Sequence, residues 1–119
     1  MSAETPTAGS KTFKKTWLTH DPPKASLKPK RSVGTLRIDA HGLSFESSKE
    51  TLTIPRERLE QRGFGKSGSD FVNNWVKVGY VDETGTSREI YLNDGRFLGW
   101  GGVLGGAKKI DAAVQAVLR

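Results

Sequence analysis

Apolar and polar residues alternate with a period of two over long stretches of the chain after residue 32. In GTLRIDA, Leu36 and Ile38 alternate with polar neighbours, and the alternation resumes in LSFE after the pair His41-Gly42. Period-two alternation places successive side chains on opposite faces of a strand, and a two-residue turn with glycine joins two such strands. The pattern predicts a β-hairpin at His41-Gly42.

Other segments have the same strand-like alternation, so the sequence predicts six or seven strands. TFKKTWLT at residues 12–19 is a candidate first strand. RERLEQRGF is an edge strand or a short helical turn, because Pro55 precedes it and restricts pairing. GKSGSD and DETGTS have turn compositions and are predicted as loops. The remaining predicted strands are ETLTI, NNWVKVGYVD and SREIYLND.

The period changes near the end of the chain. Residues spaced along one face of an α-helix are apolar there: Ala107, Ile110, Val114, Val117 and Leu118. A helix of about 12 residues is marginal alone, so it must dock on an apolar surface. The sequence therefore predicts a mainly β fold, a partly open antiparallel barrel or sandwich capped by one C-terminal α-helix.

Most of the net positive charge lies in the first quarter of the chain. Residues 1–32 carry seven basic and two acidic groups, whereas residues 33–119 carry 12 basic and 11 acidic groups. We expect residues 1–11 to be a disordered tail and residues 33–119 to form the domain. Residues 12–32 are then either a first strand followed by a basic, proline-rich loop, or a flexible arm. A basic segment of this kind favours anionic partners.

Composition also excludes several classes of protein. The chain has no cysteine, which rules out disulfides, thiolate metal sites and a cysteine nucleophile. No apolar run approaches the roughly 20 residues of a membrane span, and the N-terminus lacks a secretory h-region. These features predict a cytoplasmic protein, which could bind peripherally to a membrane.

The order of elements resembles the pleckstrin-homology-like superfamily, and its GRAM branch in particular. The resemblance rests on GTLRID, AHG, LSFES, TLTIP, WVKVGYVD, REIYLNDG and KKIDAAVQAVL, and covers residues 33–119. It implies seven strands, a closing helix and a non-catalytic binding module. Members that bind lipids use basic residues in the loop between the first two strands.

The resemblance implies an anion-binding site if residues 12–19 are the first strand. HDPPKASLKPKR is then the first loop, and it contributes Lys24, Lys28, Lys30 and Arg31. If GTLRIDA is the first strand instead, that loop shrinks to His41-Gly42 and no headgroup site remains. Lys66 could extend the basic surface.

The glycine-rich stretch GWGGVLGGAKK at residues 99–109 has two interpretations. Its glycines could let the backbone bend closely onto the sheet, with Trp100 in the core. Alternatively, Trp100 is exposed beside Lys108 and Lys109, an arrangement that suits a membrane interface or an acidic partner. Burial of Trp100 distinguishes the two interpretations.

Motifs for cofactors, metals or catalysis receive no support. GFGKSG at residues 63–68 matches a dinucleotide string, but a strand-like segment follows it rather than a helix. In the 99–109 stretch, Gly106 is followed by Ala107 rather than by the lysine of a P-loop. His20 and His41 lie in predicted loops without catalytic motifs. The basic residues do not alternate with aromatics on one strand, which argues against nucleic acid.

We therefore expect a non-catalytic module that recognises an anionic membrane surface or a phosphoinositide headgroup. The alternative is a protein-interaction domain that takes a peptide in a groove between an edge strand and the helix.

Overall fold

The computed structural model describes residues 11–20, 31–67, 70–95 and 106–118, with the side chains of 66, 67 and 70–74 left out. It contains seven strands and one C-terminal α-helix in that part of the chain, as the sequence predicts. In chain order the elements are β1 Lys11–Thr19, β2 Ser32–Asp39, β3 Gly42–Ser47, β4 Thr51–Pro55, β5 Leu59–Ser67, β6 Asp70–Val81, β7 Ser87–Asp94 and α1 Gly106–Leu118.

The strands form one antiparallel sheet in the order β4-β3-β2-β1-β7-β6-β5. Successive hairpins build each half of the sheet, and the pairing of β1 with β7 joins the halves. TFKKTWLT is therefore a strand, and the register that makes GTLRIDA the first strand is wrong. The predicted hairpin is confirmed, but its two-residue turn is Ala40-His41 and not His41-Gly42, because Asp39 pairs with Gly42 at the start of β3. Gly42 has a φ of 136°, which favours glycine.

One face of the sheet carries the apolar core. Alternate residues such as Leu36 and Ile38 of β2 and Leu43 and Phe45 of β3 are buried there, and we call this the inner face. The fully buried side chains of the sheet include Leu18, Leu36, Ile38, Phe45, Ile54, Val76, Val78, Ile90 and Leu92.

The helix α1 covers the inner face next to β5, β6, β7 and β2. Ile110 and Val114 are buried, so the predicted apolar stripe docks on the core. Two polar contacts complete the docking: Arg62 pairs with Asp111 at 2.8 Å, and Arg56 Nε donates to the Val117 carbonyl at 2.9 Å. The Arg56 contact bridges the opening that edge strands β4 and β5 leave between them.

Two predictions about local structure need adjustment. RERLEQRGF contains both alternatives, because residues 56–58 form a 3₁₀ turn and β5 follows it. GKSGSD was predicted as a loop, but β5 continues to Ser67 and β6 begins at Asp70. Pairing with β6 overrides the weak strand propensity of glycine, and Gly65, with a φ of 141°, lies where the register shifts.

Candidate functional site

Three connections meet at one end of the sheet, which we call the connection end. Leu18 near the end of β1 pairs with Ser32 at the start of β2, and Gly34 pairs with Ser47 at the end of β3. Thr19 pairs with Tyr91, so the first residues of β7 extend beyond β1 in the same direction. The β1–β2 connection, the β3–β4 turn and the β6–β7 turn therefore share this end.

Glu50 joins both ends of the β1–β2 connection to the β3–β4 turn. Its Oε1 lies 2.6 Å from His20 Nε2, and its Oε2 accepts a hydrogen bond from Ser32 Oγ at 2.5 Å. His20 follows β1 and Ser32 begins β2, so one carboxylate holds the two points where the connection leaves and re-enters the sheet. The turn is shaped locally by Ser47, whose Oγ accepts from the backbone N–H groups of Lys49 and Glu50.

These contacts change the ionisation of Glu50. Burial alone would raise the pKa of its carboxyl group, but the hydrogen bonds from Ser32 and His20 outweigh burial and lower the pKa. Glu50 therefore stays ionised under mildly acidic conditions. Ser32 donates to Glu50 rather than to His20, so this trio does not have the geometry of a nucleophile activated by a histidine base. The arrangement of these three residues instead fixes the two ends of the β1–β2 connection.

Asp82 organises the β6–β7 turn, which the composition of DETGTS predicted. Its Oδ1 accepts from the backbone N–H groups of Thr84 and Thr86 at 2.9 and 3.0 Å, and its Oδ2 accepts from Arg88 Nε at 2.6 Å. The hydrogen bond from Arg88 is the largest of the causes that lower the pKa of Asp82 far below its ordinary value. Asp82 and Arg88 therefore form an ion pair in which the two charges neutralise each other.

An aromatic cluster lies beside the connection end on the outer face of the sheet. Trp17 points away from the core because its neighbour Leu18 points into it. The Trp17 and Trp75 ring centroids are 6.2 Å apart, and the Arg31 guanidinium lies 4.1 Å from the centroid of the Trp17 ring. Burial lowers the pKa of Arg31. Asn93, which pairs with Trp17, is fully buried among these residues.

The structure locates some of the predicted anion-binding residues. Arg31 lies at the connection end, immediately before β2. Lys24, Lys28 and Lys30 belong to the same β1–β2 connection, but they lie outside the described residues, as does the side chain of Lys66.

The predicted interface residues lie elsewhere. Lys108 and Lys109 are exposed on α1. This helix begins beside Asp94 at the end of β7 and ends beside Arg56, which donates its backbone N–H to His41 in the β2–β3 turn. Trp100 lies outside the described residues, and both interpretations of the glycine-rich stretch remain predictions.

Sequence reasoning missed the roles of Trp17, Glu50 and Asp82. The role of Asp82 could have been predicted from the local sequence. In Asp-x-Thr-x-Thr, the aspartate carboxylate can accept hydrogen bonds from the backbone N–H groups two and four residues later. The partners of Trp17 and Glu50 are at least 14 residues away in sequence, so only the strand register brings them together.

Two shallow grooves lie along the opening between β4 and β5. One, of about 250 Å³, lies between β4 and the β6–β7 turn and has Leu52, Ile54 and Tyr80 in its lining. The other, of about 320 Å³, lies between the 3₁₀ turn and the end of α1, next to Leu59 and Leu118. Both are open to solvent along the edges of the sheet.

Comparison with known proteins adds no identity. No protein-family model matches the chain, and no curated protein matches its sequence. Within the described ranges no helix is both long and apolar enough to cross a membrane. The same ranges contain no group of three or more metal-ligating side chains.

Proposed function

We infer that this protein is a non-catalytic module that binds an anionic membrane surface through its β1–β2 connection. The observation that carries the proposal is the position of this connection. It leaves and re-enters the sheet at the end that also holds Arg31 and Lys49, and it carries Lys24, Lys28 and Lys30. A long basic connection anchored at both ends to a rigid sheet can present several cations to one surface.

The anchoring through Glu50 supports this role. Because the carboxylate engages both His20 and Ser32, the connection is held at its base without using the lysines. Each lysine or arginine near an anionic leaflet contributes about 1 kcal/mol, so three or four give weak and reversible attachment. The attachment should weaken with salt, because exposed charges are screened.

Vesicle co-sedimentation tests the proposal. The full chain should sediment with phosphatidylcholine vesicles that contain phosphatidylserine and stay in solution with phosphatidylcholine alone. Replacing Lys24, Lys28 and Lys30 by Gln should abolish sedimentation. The matched control replaces Lys11, Lys14 and Lys15 by Gln, which removes the same charge from exposed positions of β1. Equal loss in both variants would show that net charge alone, and not the connection, drives binding.

A protein-interaction function is the second candidate, and the edge strand β5 favours it. Its outer edge has no neighbouring strand among the described residues, and Phe64 on this strand is 37% exposed. An extended peptide could add to such an edge and place a side chain in the groove beside Leu59. Binding to a partner protein that survives high salt and is lost in Phe64→Ser would favour this function over the membrane.

A further inference from the structure

The Arg31 guanidinium is held in one orientation as a flat cation. Its centre lies 4.1 Å from the centroid of the Trp17 ring, which is the distance of a stacked cation–π contact. Trp17 is itself packed tightly, since a side chain at Gly95 would collide with its indole ring. A stacked arginine has already lost much of its rotamer freedom, so binding a ligand costs it less entropy.

This cation has no counter-charge among the described residues. The ion pairs within those ranges involve other basic groups. The carboxylate of Glu50, across the connection end, uses both oxygens on His20 and Ser32. The Nε–H of Arg31 is buried and finds no acceptor in the described part of the chain. A guanidinium that is partly desolvated and has no counter-charge is unfavourable, and an oxyanion bound beside it would relieve the unbalanced charge.

The surroundings of Arg31 add a second cation and an apolar surface. Lys49 Nζ donates to the Arg31 carbonyl oxygen at 3.1 Å, which holds an ammonium group against the main chain of Arg31. Val33 pairs with Trp17 across the β1–β2 ladder and is 47% exposed. An arginine stacked on an indole ring, with a second cation at its main chain and an exposed valine on the same hairpin, matches the boundary between lipid headgroups and acyl chains.

The cluster of Arg31, Trp17 and Val33 lies on the outer face of the sheet, on the side away from the apolar core. Trp17 and Val33 belong to the outer face, because Leu18 and Ser32, the next pair along the ladder, are buried on the other side. The anion site that the family resemblance implies would lie in the β1–β2 connection itself. The contacts of Arg31 instead direct it onto the side of the β1–β2 hairpin.

We propose that Arg31, stacked on Trp17 and flanked by Lys49 and Val33, is a preformed site for a phosphate oxyanion on the outer face of the β1–β2 hairpin. The inference rests on the proposed function, since it names the group that the membrane-binding end recognises. A guanidinium fork binds two phosphate oxygens at once, which an ammonium group cannot do. The oxyanion can come from a lipid headgroup or from free phosphate.

Nuclear magnetic resonance of the full chain tests the site directly. Burial should slow solvent exchange of the Arg31 Nε–H enough to give a ¹H–¹⁵N signal, which Arg31→Lys identifies by its loss. Inorganic phosphate should shift this signal and the Trp17 indole signal along a saturable curve. Sodium chloride at the same ionic strength should not. A response that is linear, or equal for the two salts, would overturn the proposal.

Variants separate stacking from charge. Arg31→Lys keeps the charge but loses the fork and should weaken phosphate binding, followed by the Trp17 signal, at least fivefold. Trp17→Phe, followed by the Arg31 Nε–H signal, should weaken phosphate binding severalfold, because the smaller ring offers the guanidinium less surface for stacking. Arg37→Lys is the matched control, because Arg37 is an exposed arginine on β2, and its phosphate affinity should equal that of the unaltered chain. Backbone amide spectra show whether each variant folds, and the titration of the unaltered chain decides the question if one does not.

Vesicles then distinguish the source of the oxyanion and separate the two proposals. At matched surface charge, vesicles with phosphatidic acid should bind more tightly than vesicles with phosphatidylserine, and Arg31→Lys should remove the difference. Equal binding to both lipids, unchanged in Arg31→Lys and without a phosphate response, would reject the Arg31 site and leave the membrane function standing. A saturable phosphate response without vesicle binding would support the site for free phosphate and reject the membrane function.

Discussion

The two ends of the sheet are held together by different physical forces. At the helix end, α1 buries Ile110 and Val114 against the core, and few polar contacts are needed. At the connection end, the Glu50 carboxylate engages His20 and Ser32, and the Asp82 carboxylate accepts hydrogen bonds from Thr84, Thr86 and Arg88. Apolar burial is insensitive to pH and salt, whereas carboxylate networks titrate. We therefore expect the helix end to set stability and the connection end to set the response to conditions.

Removing apolar volume at the helix end should have the largest effect. Ile110 is fully buried, so Ile110→Ala leaves a cavity and should lower the free energy of unfolding by about 2–5 kcal/mol. Lys109→Ala, at the neighbouring exposed position, should change it by less than about 0.5 kcal/mol. Urea denaturation followed by circular dichroism measures both. Similar small losses in the two variants would mean that α1 is not docked on the core.

Adding a side chain at the start of α1, where the helix lies close to the end of β7, should have an intermediate effect on stability. A methyl group at Gly106 would collide with the side chain of Asp94, so Gly106→Ala should cost about 1–3 kcal/mol even though alanine favours helix. Gly63→Ala is the control, because a Cβ there meets only Lys77 Cβ at an ordinary 3.8 Å. Thermal unfolding compares the two. If Gly106→Ala raises the melting temperature, helix propensity and not packing dominates this junction.

Titration at the connection end should give the smallest effect and the only one that depends on pH. The pKa of Asp82 is lower in the folded chain than in the unfolded chain, so the ionised carboxylate stabilises the fold above its ordinary pKa of about 4. That stabilisation is lost progressively as the pH falls below this value. Asp82→Asn should lower the melting temperature by a few degrees at pH 7, and the difference should shrink below about pH 4.

Glu83→Gln provides the reference for this experiment, because Glu83 is an exposed carboxylate in the same turn. Its melting temperature should follow that of the unaltered chain across the pH range. A difference for Asp82→Asn that stays constant from pH 7 to pH 3 would show that the turn is held by shape and not by the charge of Asp82.

Local patterns predicted much of the fold. The hairpin of β2 and β3, the turn at DETGTS and the stripe of α1 each depend on residues within a few positions of one another. The prediction of a loop at GKSGSD was wrong for the opposite reason. Its glycines favour a loop locally, but pairing with β6, which is not visible in the local sequence, makes residues up to Ser67 part of β5. The candidate site was predicted only in part: its basic residues were visible, but the contact of Arg31 with Trp17 was not.

By itself, the order of residues determined most of the strands, the apolar face of strands such as β2 and β3, and that the last segment is a helix in need of a surface. These properties follow from the side-chain period and from turn chemistry, which act over a few residues. Tertiary structure decided the pairing of β1 with β7, the binding of His20 and Ser32 to Glu50, and the face on which Arg31 lies. Those choices depend on strand register, where many weak contacts between distant residues are satisfied together.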